Sequence, residues 1–172
     1  MPMDYIKSNL LTDEQLVYGI RPHWIIFSST VWAIIAAIYL MFFAPITISF
    51  NVYGNISVRM AISLAFLAAS IYLFLSSYIY YVTSEYGVTN KRVLIKTGWI
   101  RRESLELILD KVEGVLVDQT IPGRLFNYGT ITVIGTGGTK DSFPYIPNPL
   151  FFRKMVQEQV TLFEDRFRTP IH

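Results

Sequence analysis

The side chains that most often carry catalysis or metal binding are few and scattered in this chain. It has no cysteine, and its two histidines are His23 and His172. Without cysteine there are no disulfides, thiolate metal sites or thiol nucleophiles. No Gly-x-Ser-x-Gly elbow and no metal-ligand spacing occurs. The run Gly135-Thr-Gly-Gly-Thr-Lys140 resembles a phosphate loop only superficially. Thr139 separates the last glycine from the lysine, and a β-rich run follows instead of the helix whose N-terminus would face the phosphates, so a hairpin turn is the better reading. The acidic residues Glu103, Glu106, Asp110 and Glu113 lie among basic and apolar neighbours, as a solvated face does. The sequence therefore predicts no catalytic residue, no cofactor and no metal.

Two other sets carry chemistry of a binding kind. Lys91, Arg92, Lys96, Arg101 and Arg102 fall on two successive turns, and each cation near an anionic leaflet contributes on the order of 1 kcal/mol of attraction. They are the candidate membrane-surface contacts, although alternation turns Arg101 and Arg102 to opposite faces. The second set, Gly123, Arg124, Tyr128 and Gly129, occupies a connection opened by Pro122-Gly123, which reads as a turn. Arg124 is expected to tie that connection down by pairing with Asp110, Asp118 or Glu113; contact with a ligand is the alternative.

The elements that position these residues follow from composition. Of 172 residues 52% are hydrophobic and 16% charged, against about 45–50% and about 25% in an ordinary soluble domain. The excess is concentrated in residues 24–44 and 60–81, which contain no Asp, Glu, Lys, Arg or His. At about 1.5 Å per residue the first run extends about 31 Å, the thickness of a bilayer core. Its apolar core is too long, and its end too poor in small residues, for a cleaved signal peptide. The expected organisation is an N-terminal cytoplasmic segment 1–23, a transmembrane helical hairpin 24–81 and a cytoplasmic domain 82–172. Lys7 and Arg21 precede the first span, Arg59 alone lies between the spans, and the five cations above follow the second. This asymmetry puts both termini in the cytoplasm of a multi-pass protein of the cell (inner) membrane.

Small residues recur at helical spacing as Ser29/Ala33/Ala37 and Ala61/Ala65/Ala69, with Ser63, Ser70 and Ser77 along the other side of the second span. Such stripes let helices approach closely in lipid, either the two spans against each other or copies of the chain in a homo-oligomer. The absence of ionisable residues within the runs argues against transport. A net charge of +2 argues against nucleic acid as a partner.

Beyond Tyr81 the period changes. Tyr86–Val88, Arg92–Ile95, Trp99–Leu109, Val112–Asp118, Thr130–Ile134 and Ser142–Ile146 are β-rich runs separated by turn residues. Asn148 and Pro149 suit the start of a helix, and Phe152, Val156, Val160, Phe163 and Phe167 mark its apolar face. Six or seven antiparallel strands forming a small barrel capped by a C-terminal helix are implied.

Tyr86-Gly-Val-Thr-Asn-Lys-Arg92 with Gly98, Asp110-Lys-Val-Glu-Gly-Val-Leu-Val-Asp-Gln119, Gly123-Arg-Leu-Phe-Asn-Tyr-Gly129, the glycine turn and the closing helix together resemble the membrane-anchored bacterial pleckstrin-homology (PH) domain proteins of the YdbS-like type. Glu14-Gln-Leu-Val-Tyr18 and Arg21-Pro22-His23-Trp24 are also similar to that family's approach to the membrane. The resemblance implies a PH-like antiparallel barrel at the membrane. The expected function is a non-enzymatic binding or scaffolding module that recruits a protein or peptide partner. A structural subunit acting through its hairpin and an anionic lipid-headgroup sensor are the rivals.

Overall fold

The computed structural model describes residues 4–43, 58–98 and 103–168. Their backbone falls into two compact units, one of residues 1–23 and 80–172 and the other of residues 24–79.

The first unit holds a helix α1 (Asp4–Ser8), strands β1 (Leu16–Ile20), β2 (Glu85–Thr89), β3 (Arg92–Thr97), β4 (Glu103–Ile108), β5 (Val112–Asp118), β6 (Tyr128–Gly135) and β7 (Lys140–Pro147), a one-turn helix α4 (Ile121–Leu125) and helix α5 (Pro149–Arg168). The strands form two antiparallel sheets, ordered β1-β2-β3-β4 and β5-β6-β7. Among the described residues, the strands expected from sequence as one small barrel are distributed over these two antiparallel sheets, with the C-terminal helix as expected. The seventh strand comes from the polar segment ahead of the first apolar run. Ile20 pairs with Tyr86 and Tyr18 with Val88, so residues 1–23 are part of the β unit.

Strict alternation in β6 buries Gly129, Ile131, Val133 and Gly135, as a sheet with one face on a core requires. Ile131, Val133 and Ile146 from one sheet meet Tyr86, Val88, Val93 and Ile95 from the other, and Phe152 and Val156 of α5 close the space between them. The helix starts at Pro149 as expected. Asn148, however, sits at a φ of 48° and turns its carboxamide to Asn127. Phe167 contributes backbone to α5, and its side chain is outside the described residues.

The second unit contains α2 (Ser28–Phe42), preceded by a 3-10 turn (Trp24–Phe27), and most of α3 (Val58–Thr83). Trp24–Phe42 and Met60–Thr83 are each long and apolar enough to cross a membrane. Sequence spacing offered α3 two packing stripes, and the structure distinguishes them. Ser63 and Ser70 are buried, and the Ser77 hydroxyl donates to the Ile26 carbonyl at 3.3 Å. Ala61, Ala65 and Ala69 are exposed. On α2, Ala37 is buried, Ala33 half-buried and Ser29 exposed. Within the pair the serine stripe, not the alanine stripe, is therefore the packing face. Phe27 and Phe74, with ring centroids 5.8 Å apart, fill space beside it.

Candidate functional site

The motif Tyr86–Arg92 forms β2 and the turn into β3, and the side chains of Thr89, Asn90, Lys91 and Arg92 each bond to the N-terminal segment. Gly87 leaves room for Ile6: a Cβ there would stand 2.8 Å from the Ile6 Cδ1, and Ile6 is fully buried. The Ile6 N–H donates to Glu85 Oε2 at 3.1 Å. Thr89 Oγ1 donates to Glu14 Oε1 at 2.7 Å and accepts from the Arg92 N–H at 2.9 Å. Asn90 accepts from the Gln15 N–H and donates to the Asp13 carbonyl. Lys91 Nζ donates to the Thr12 carbonyl at 2.9 Å.

Arg92 is the centre of this clamp. Its Nε and Nη2 donate to the two oxygens of Glu14 at 2.9 Å each, its Nη2 also to the Asn9 carbonyl at 2.8 Å, and its Nη1 to Glu106 at 2.5 Å. Two parallel bonds match the planar guanidinium to the carboxylate. The Glu14 side chain is fully buried, and burial alone would raise its pKa. Hydrogen bonds from Arg92, the Leu11 N–H and Thr89, with the Arg92 charge, outweigh burial and hold it below the usual carboxylate range. The hydrogen bond to Glu14 in turn raises the pKa of Arg92.

These contacts relocate the candidate lipid-facing cations. Lys91 and Arg92 grip residues 9–14, and Lys96 Nζ stands 4.0 Å over the Tyr5 ring. The two turns are at opposite ends of the β2–β3 hairpin, because Glu85 pairs with Lys96 and Val88 with Val93. Lys91 and Lys96 therefore stand at opposite ends of that hairpin. Arg101 and Arg102 lie outside the described residues.

The 119–129 connection is tied differently from expectation. Arg124 is exposed and, among the described residues, pairs with none of Asp110, Asp118 and Glu113; Asp110 pairs with Lys111 at 3.5 Å. The ties are neutral: Thr120 Oγ1 caps α4 by accepting from the Gly123 N–H at 3.2 Å, and Gln119 Nε2 donates to the Tyr128 carbonyl at 3.1 Å. Gly123 and Gly129 serve close approach, since a Cβ would stand 2.7 Å from the Tyr128 carbonyl oxygen and 2.6 Å from that of Asp118, respectively. Tyr128 stacks on His23 with ring centroids 5.4 Å apart, and burial there lowers the His23 pKa.

Two grooves lie on the described surface of this unit. One of about 500 Å3 borders the clamp, between Leu11, Ile108 and Phe163. The other, about 330 Å3, separates Val112–Val115 of β5 from Val156, Gln157, Val160 and Thr161 of α5. Since among the described residues β5 is paired on one side only, with β6, the second groove has a strand edge for one wall and a helix for the other. Sequence periodicity identified β5 and α5 but gave no sign of the groove, which depends on how two sheets and a helix pack. Among the described residues no group of three His, Asp or Glu is placed to hold a metal ion.

The model of the family described as bacterial PH domain matches residues 21–160. No curated protein matches the chain. A DUF1696 family protein with a pleckstrin-homology domain from Shewanella loihica PV-4 is similar in structure. It has a TM-score of 0.37 and 11% sequence identity, with 46% of this chain and 73% of that chain covered.

Proposed function

Since the chain belongs to the bacterial PH domain family, generally one of non-catalytic binding modules, we propose that it is a binding module held at the inner face of a membrane by its two apolar helices, and that the edge of β5 takes an extended segment of a protein partner. Strand pairing between β1 and β2 supports the anchoring. It joins the chain before the first apolar helix to the chain after the second, and a single folded unit built from both cannot straddle a bilayer. Two crossings between them satisfy this constraint. The helices, at about 1.5 Å per residue, reach about 28 Å and about 36 Å. The position of Arg59 as the lone cation between them favours the inner side for the folded unit.

The observation that carries the binding reading is the groove of about 330 Å3 along the free edge of β5. An edge strand offers unpaired main-chain donors and acceptors, and an extended peptide satisfies them by adding one more strand. Every second side chain of that peptide then points toward Val156 and Val160, so the partner segment carries apolar residues at alternate positions. Gly114 lies in the middle of this wall, and a Cβ on it meets nothing within 4 Å, which leaves the groove open.

A photocrosslinking residue at Gln157 of the full chain, in native membranes, tests this. The expected result is a discrete adduct that disappears when Gly114→Trp fills the groove. An adduct of the same mass from Lys140 of β7, unaffected by Gly114→Trp, would place the partner elsewhere.

A further inference from the structure

We infer that the short helix α4 is a third membrane contact, with Ile121, Arg124 and Leu125 seated in an anionic leaflet; this rests on the membrane-anchored reading above. Ile121 is 85% exposed and Leu125 78%, the two most exposed large apolar side chains described. Their spacing, with Arg124 between, puts all three on one face of the helical turn. The Thr120 cap and the Gln119 bond to Tyr128 fix that turn, so the face is held outward.

Where this face lies in the β unit identifies what covers it. The unit ends at His23, immediately before the first apolar helix, and resumes at Tyr80. The His23 N–H donates to the Tyr145 carbonyl at 2.6 Å. Tyr86 reaches the Pro144 carbonyl at 3.5 Å and the Tyr80 hydroxyl at 3.3 Å. Both passages of the chain out of the unit therefore run beside Pro144 and Tyr145. The α4 connection is at the same place, because Tyr128 stacks on His23. Asn127 accepts from the Asn148 N–H at 2.9 Å, which continues the exposed apolar rim toward Leu150, itself 54% exposed. If residues 24–42 begin to cross a bilayer one residue beyond His23, these side chains meet the lipid surface. There the apolar pair enters the acyl boundary and the guanidinium reaches phosphate, as arginine on an apolar face does.

The chain has no cysteine, so a single introduced cysteine carries an unambiguous label. The full chain with an environment-sensitive fluorophore at Leu125→Cys is reconstituted in vesicles of phosphatidylcholine alone or mixed with phosphatidylglycerol, with nitroxide-labelled lipid as quencher. Leu64→Cys on α3 and Thr161→Cys on α5 serve as references. The expected result is several-fold stronger quenching at position 125 than at 161, increased by phosphatidylglycerol, with Arg124→Glu removing that increase. Quenching at 125 no greater than at 161, while 64 is quenched, would overturn the third contact and leave the anchoring intact. A fluorophore at 125 that is shielded from a water-soluble quencher yet untouched by the nitroxide-labelled lipid would show that protein, not lipid, covers the face. An unquenched label at 64 would overturn the anchoring and this inference with it.

Discussion

Arg92 and Glu14, 78 residues apart with both apolar helices between them, share two parallel hydrogen bonds of 2.9 Å, the carboxylate fully buried. The pair fastens the N-terminal segment to the turn between β2 and β3. It also explains why Thr-Asn-Lys-Arg stands there: each of the four side chains bonds to a group in residues 9–15.

Removing one partner strands the other as a buried charge. Arg92→Ala is expected to lower the stability of the β unit by about 3–5 kcal/mol. Glu106→Gln, at the exposed end of the same guanidinium, is expected to cost less than about 1 kcal/mol. Thermal melts of the two full-length variants in detergent check the ranking, and equal shifts would contradict it.

The clamp also sets a pH dependence. The folded pKa of Glu14 lies below its unfolded value of about 4.3, because Arg92, Leu11 and Thr89 outweigh burial. The unfolded chain therefore binds more protons in that window, and stability rises with pH. The contribution is complete above the unfolded value and is lost as pH falls through the folded one. The stability difference between the parent and Glu14→Gln should accordingly be constant near neutrality and shrink below about pH 4. A difference that stays constant to pH 3 would show that Glu14 does not titrate as described.

In the 119–129 connection the glycines, not the arginine, are expected to govern stability. Gly129→Ala sets a Cβ 2.6 Å from a backbone oxygen and should cost about 1–3 kcal/mol, as overpacking does. Gly114→Ala meets open space and should leave stability unchanged or slightly higher. Arg124→Ala, at an exposed site, should leave the melting temperature unchanged. A large loss from Arg124→Ala would restore the ion-pair role expected from sequence.

For the helices, Ser70→Leu places a branched side chain in the buried stripe and should separate α2 from α3, read as a lower melting temperature of helix content. Ala65→Leu, on the exposed stripe, should leave that melt unchanged. If Ala65→Leu alone lowers the particle mass by light scattering, the alanine stripe joins copies of the chain. The reverse ranking in the melt would contradict the serine packing.

Much of the β unit was legible because its signals are local. β5 was read with its observed bounds, Val112–Asp118, from apolar periodicity, and α5 from its cap and its spacing of apolar residues. β1 gives no local signal because it is five residues long, contains Gly19, and pairs with residues some 70 positions later. The pairing of Arg92 with Glu14 has the same cause: a long-range ion pair leaves no spacing signature. Pro122-Gly123 suits a turn and a one-turn helix alike, so the sequence does not distinguish α4 from a turn. The choice between two equally regular stripes on α3 depended on a neighbouring helix that spacing alone does not show.

Anchoring with both flanks on the inner side is the premise of the account, and cysteine accessibility in intact cells tests it most directly. With no native cysteine, single substitutions at Lys7, Ser57 and Thr161 are probed with a membrane-impermeant maleimide before and after permeabilisation. The account predicts that position 57 is labelled in intact cells, and that positions 7 and 161 are labelled only after permeabilisation. Labelling of position 161 in intact cells, or opposite behaviour of positions 7 and 161, would contradict it.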